Sequence, residues 1–133
     1  MIERDYIMRM IAQLSAAIAR ILFAKKRRKY AEALQLAQNA YEQLLGLNDE
    51  LVEQMDAATL AMLLGEKEKI KALAALLREE GEILHLQGNA SDGNLKYEKA
   101  LALFQEAGRR STSKNDECEA AIAALQAKLK MTP

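Results

Sequence analysis

The only proline in the chain is its last residue, Pro133, so no residue before it obliges a helix to stop. No stretch shows the sustained alternation of β-branched and polar residues that a strand needs. Half of the 133 residues are apolar, yet six are aromatic, so leucine and alanine must supply the core. Such a core suits helices that approach each other closely. The expected fold class is all-α, with 1–133 as a single domain long enough to bury about two thirds of its unfolded surface.

The helical period is clearest from residue 2 to about 28. Ile7, Met10, Ile11, Leu14, Ile18, Ile21 and Leu22 fall on one stripe. Arg9 and Arg20 interrupt its apolar run, which therefore reads as a core helix and not as a membrane span. Five consecutive cations, Lys25, Lys26, Arg27, Arg28 and Lys29, follow where the chain must turn, and read as a solvated connection. A second helix runs from about Tyr30 to Leu45, with Ala33, Leu34, Ala37, Ala40, Tyr41 and Leu44 inward and Gly46 closing it. Asn48 or Asp49 and then Asp56 are placed to cap two short helices, the second ended by Gly65. A longer helix then reaches about Gln87. After the loop at Gly108, Ser113 or Asn115 is placed to cap a last helix, which carries Cys118, Ile122, Leu125 and Leu129 on one face.

The stretch Gly81–Ala107 organises the rest. It reads as helix, turn at Gly88-Asn89, and helix, with Gly81, Gly93 and Ala100 where two helices must come close. Tyr97, Leu101 and Phe104 follow on one face. These residues resemble a tetratricopeptide (TPR) motif, a helical hairpin of about 34 residues that buries its apolar face only by stacking. Ala33 and Ala40 repeat Gly93 and Ala100 at an offset of 60, and Tyr30-Ala-Glu-Ala-Leu resembles the start of another second helix. Residues 48–73 would then be an insertion between two hairpins. The opening MIERDYIMRMI with two such hairpins also resembles a bacterial family of short, uncharacterised TPR-like proteins.

The resemblance implies a short stack of antiparallel hairpins with a C-terminal capping helix, and a concave face formed by the first helix of each hairpin. That face would draw on Ile18, Leu22, Lys25, Arg78, Glu82 and His85. TPR domains that grip a terminal carboxylate use Asn and Lys or Arg there. The matching places here hold Ser15, Ala19, Ala75 and Glu79, so that particular specificity is not expected.

Chemistry is sparse. His85 is the only histidine, and with Glu82 it forms a single Glu-x-x-His pair where a di-metal bundle needs two. Cys118 is the only cysteine, which excludes an intramolecular disulfide. No pair of acid and base, no nucleophile with an activating neighbour and no metal set can be assembled. The expectation is no enzyme, no catalytic residue, no metal and no cofactor. A small protein- or peptide-interaction module is expected instead, cytoplasmic and complete as given. The alternative is a regulatory nucleic-acid- or anion-binding protein using Lys25 to Lys29, with nucleic acid the less favoured partner. Residues 1–30 carry a balance of +6 and the remainder −6, which makes the surface dipolar. Self-association through Ile2, Tyr6 and Met10 is a further expectation, because apolar side chains surround several faces of the first turns.

Overall fold

A computed structural model describes residues 2–111 and 116–131, and only the backbone of Ile2, Glu3 and Asp116. Among the described residues there are seven helices and no strand. They are α1 (Ile2–Lys26), α2 (Tyr30–Leu45), α3 (Asp49–Gln54), α4 (Ala57–Leu64), α5 (Lys67–Leu86), α6 (Ala90–Arg109) and α7 (Asp116–Lys130). The candidate caps Ser113 and Asn115 lie outside the described residues.

Helices α1 and α2 form one hairpin, and α5 and α6 form the other. The two turns share one geometry. In the second, Asn89 N–H donates to the Leu84 carbonyl at 2.8 Å and Gly88 N–H to His85 at 3.0 Å, with Gly88 left-handed at φ +84°. In the first, Lys29 donates to Ala24 at 2.9 Å and Arg28 to Lys25 at 3.0 Å, with Arg28 left-handed at φ +61°. This is the Schellman closure, which satisfies the last carbonyls of a helix and favours glycine at the left-handed position. Arg28 thus stands 60 residues before Gly88 in the same role, and adopts a conformation that disfavours a Cβ by about 1–2 kcal/mol. Arg28→Gly should therefore raise stability by about 1 kcal/mol, read as a higher urea midpoint with unchanged slope.

The connection between the hairpins is built from local caps. Gly46 closes α2 at φ +67°. The Asn48 side chain accepts from Leu51 N–H at 2.8 Å and that of Asp56 from Thr59 N–H at 2.7 Å, starting α3 and α4. Lys99 of α6 donates to the carbonyls of Val52 and Glu53, at 2.6 and 3.0 Å, and so serves the C-terminal end of α3.

The buried apolar residues form one cluster running from Met10 and Ile21 through Tyr41, Leu60 and Leu73 to Phe104 and Leu125. On α1 the buried positions are Met10, Ala17, Ile21 and Ala24, whereas Ile11 and Leu22 are exposed. The helix is turned so that alanines face the hairpin, because small side chains allow α1 and α2 their closest approach. Within the second hairpin the approach is closer still. A Cβ built on Gly93 would stand 2.9 Å from the Gly81 carbonyl oxygen, and one on Gly81 would stand 3.0 Å from that of Gly93.

Three helices run the same way along one side. Tyr6 of α1 lies beside Lys69 of α5, and Lys25 beside Glu79 and Glu82, so the two sequences advance together. Lys71 pairs with Glu117 of α7 at 3.0 Å and Glu82 with Lys128 at 4.0 Å, both 46 residues apart. Helices α1, α5 and α7 are therefore parallel, with α5 in the middle.

A candidate binding groove

The parallel arrangement leaves a groove of about 740 Å³. Its floor is α5, through Ala72, Ala75 and Arg78, together with Phe104 of α6. One wall is α1, with Ile11, Leu14, Ser15 and Ile18; the other is α7, with Ala120, Ala121 and Ala124. The α7 wall is low because alanine projects little, so backbone lies close to whatever fills the space on that side. At one end Lys71 is held between Glu68 at 3.5 Å and Glu117 at 3.0 Å. Burial opposes its charge, yet the Glu117 hydrogen bond and the two nearby carboxylates raise its pKa on balance.

Arg78 is different. Its guanidinium lies 5.4 Å from the centre of the Phe104 ring and makes no ion pair with a carboxylate among the described residues. It is a half-buried cation on an apolar floor, with all its charge available to a ligand.

Of the six residues expected on a concave face, Ile18 and Arg78 line this groove. Lys25 and Glu82 are instead paired with each other at 3.0 Å, and Lys25 also meets Glu79 at 3.0 Å. Burial tends to discharge Lys25, but the hydrogen bonds that it donates to Glu82 and Glu79 outweigh it and hold the ammonium charged. Leu22 is 45% exposed beside that lock. His85 is turned into the second hairpin, stacked on Tyr97 at 4.9 Å and in contact with Asn94 Oδ1 at 2.9 Å. It covers Gly93, where space exists because that residue has no side chain.

The expected basic connection also changes. Helix α1 continues through Lys26, which carries Lys25 away from solvent and onto α5, where its side chain is 11% exposed. Lys26, Arg27, Arg28 and Lys29 remain exposed. Of the residues expected in self-association, Tyr6 is 48% exposed but Met10 is 3% exposed. Met10 belongs to the core, because α1 turns that face onto the hairpin. The side chain of Ile2 lies outside the described residues.

Lys71, Phe104 and the alanines of α7 escaped sequence reasoning. Their shared feature is position: they converge from three segments with no local motif. On the opposite side, a second cavity of about 540 Å³ is lined by Asp49, Glu53, Glu80, Lys96 and Lys99 among others. Two of its acidic side chains serve the fold. Glu80 accepts from the Tyr41 hydroxyl and lies 3.7 Å from Lys96, and Asp56 caps α4.

Cys118 is buried, and burial raises its pKa and disfavours the thiolate. Among the described residues no three or more His, Cys, Asp or Glu side chains converge as a metal site.

A family model described as a family of unknown function (DUF6483) matches residues 1–130. The chain belongs to this family. No curated protein and no solved structure matches it. In this DUF6483 protein the groove of about 740 Å³ holds a cation, Arg78, that has no carboxylate partner among the described residues.

Proposed function

We propose that this DUF6483 protein is a TPR-like interaction module that holds an apolar segment of a partner protein between α1 and α7. The observation that carries this reading is Arg78, which has no carboxylate partner among the described residues and stands on a groove floor that it shares with Ala72, Ala75 and Phe104. A segment that presents small apolar side chains to the groove and one carboxylate to Arg78 would bury apolar surface and complete an ion pair in one step. No bond is made or broken. Specificity would come from the length of the groove and from Arg78, because the other charged groups of the lining, Glu68, Lys71 and Glu117, are already paired with one another.

Selection of short peptides from a random displayed library, followed by fluorescence anisotropy, tests this. Selected peptides should carry an acidic residue among apolar ones. Their affinity should fall about tenfold or more on Arg78→Gln, as expected for a charge-assisted pair. Ala124→Trp, which fills the groove from an exposed position on α7, should abolish binding while leaving the helical circular dichroism unchanged. Peptides that bind both variants as tightly as the wild type would remove the groove from consideration.

A further inference from the structure

The turn between α1 and α2 takes no part in the groove, and its composition works against its own geometry. Its counterpart between α5 and α6 has glycine at the left-handed position and Asn89 as cap. The first turn has Arg28 at the left-handed position, and Lys29 makes no side-chain cap. With Lys25 withdrawn to Glu79 and Glu82, the exposed cations are Lys26, Arg27, Arg28 and Lys29, joined by Arg20 one to two turns earlier on α1. None of the five has a carboxylate partner among the described residues.

An exposed aromatic ring sits among these charges. Phe23 is 61% exposed, with the Arg27 guanidinium 5.5 Å from its ring. Phe23, Arg20, Arg27 and Lys29 line one shallow groove with Leu36 of α2, and Glu32 is the one carboxylate in it. The helix behind this surface is apolar enough, by length and composition, to cross a membrane: Arg4–Lys26 has a hydropathy of 1.5 in its best window, of which 22% is buried. Its Lys25 lock and buried Met10, Ala17, Ile21 and Ala24 tie it to the hairpins, so it presents a flank outward and does not leave the fold.

We propose that this end of the molecule docks on an anionic lipid bilayer, with Phe23 in the headgroup region and Arg20, Lys26, Arg27, Arg28 and Lys29 against lipid phosphates. Charge decides against a second copy joined face to face by a two-fold axis, since that would oppose two sets of five cations. The apolar element decides between a bilayer and nucleic acid. A duplex keeps its bases stacked inside and offers the cations phosphates alone, whereas the exposed Phe23 beside Leu36 gains from a surface with hydrocarbon beneath its charges. Basic clusters of this size are retained by anionic leaflets, each cation contributing about fivefold to partitioning near the surface.

Co-sedimentation of the full chain with vesicles tests the assignment. Vesicles of phosphatidylcholine with about 30 mol% phosphatidylglycerol should retain the protein at about 0.1 M salt and release it at about 0.5 M, while phosphatidylcholine alone should not retain it. Arg27→Gln with Arg28→Gly should lower partitioning by about 25-fold. Because Arg28→Gly relieves the left-handed strain, that loss cannot be put down to unfolding. Phe23→Ser should lower partitioning several-fold at every salt concentration, and circular dichroism will verify its fold. Absence of retention on the anionic vesicles would overturn the proposal. So would retention indifferent to Phe23→Ser together with tighter binding to duplex DNA or RNA, which would assign the cations to nucleic acid.

Discussion

Gly93→Ala is expected to destabilise the protein by about 2 kcal/mol, whereas Gly108→Ala on the same helix should stabilise it by up to about 1 kcal/mol. In an open helical position alanine is the better residue, and nothing lies within 4 Å of a Cβ at Gly108. At Gly93 the new Cβ would meet His85 Cδ2 at 2.6 Å and the Gly81 carbonyl oxygen at 2.9 Å. The imidazole cannot easily give way, because it is stacked on Tyr97 and held at Asn94. The carbonyl belongs to the backbone of α5, so relief requires the two helices to separate. Gly93→Val adds two further carbons at the same point and should cost more than about 4 kcal/mol, a large part of the total stability of an ordinary domain. Urea unfolding of the three variants checks the opposite signs; equal effects at positions 93 and 108 would mean that the hairpin is not this close.

Tyr41→Phe should cost about 1–3 kcal/mol, because it takes a hydroxyl donor from a buried carboxylate and leaves it to Gln38 and Lys96. Glu80 is 2% exposed, and its pKa is raised by burial, only partly countered by Lys96 and the Tyr41 hydroxyl. A carboxyl group held protonated more readily in the folded state adds stability that is full below its unfolded value, near 4.5, and is lost as pH rises through the folded value. Glu80→Gln keeps an acceptor for Tyr41 and carries no charge. It should therefore be more stable than the wild type at pH 7 to 8. The difference should shrink steadily as pH falls toward about 4.5, where the wild-type side chain is neutral too. Comparing variant with wild type at each pH cancels the opposite contributions of Asp56 and Glu106, whose pKa values are lowered. Thermal melts across that range give the answer; a gap that widens on acidification would reverse the assigned sign.

Local chemistry was legible in the sequence, and meetings of distant segments were not. Gly46, Asn48, Asp56 and Gly88 each announce a helix end because a cap is decided within a few residues, and each stands where the spacing places it. Gly81 and Gly93 were legible for a similar reason, since two glycines flanking a turn make sense only if helices touch there. Hydrophobic periodicity found α1 and placed Met10, Leu14, Ile18 and Ile21 on the core side, but it set the edges of that face wrongly. It favoured Ile11 and Leu22 by size, whereas the hairpin crossing selects Ala17 and Ala24 because they let the backbones approach. Lys25 read as one of five equivalent cations. Its partners lie 54 and 57 residues away, and no local pattern separates it from Lys26. The groove is less legible still, since its floor and walls come from four helices and its distinguishing feature is that Arg78 has no carboxylate partner among the described residues.

Photo-crosslinking in the cell tests the central claim, that the α1–α5–α7 groove receives a segment of another protein. A benzoylphenylalanine placed at Ser15 or at Ala124, both exposed on opposite walls, should give the same discrete adduct. Neither adduct should survive Arg78→Gln, and the probe at exposed Gln43 on α2 should give none. Adducts from Gln43 as strong as those from the two walls, or wall adducts unchanged by Arg78→Gln, would contradict the account.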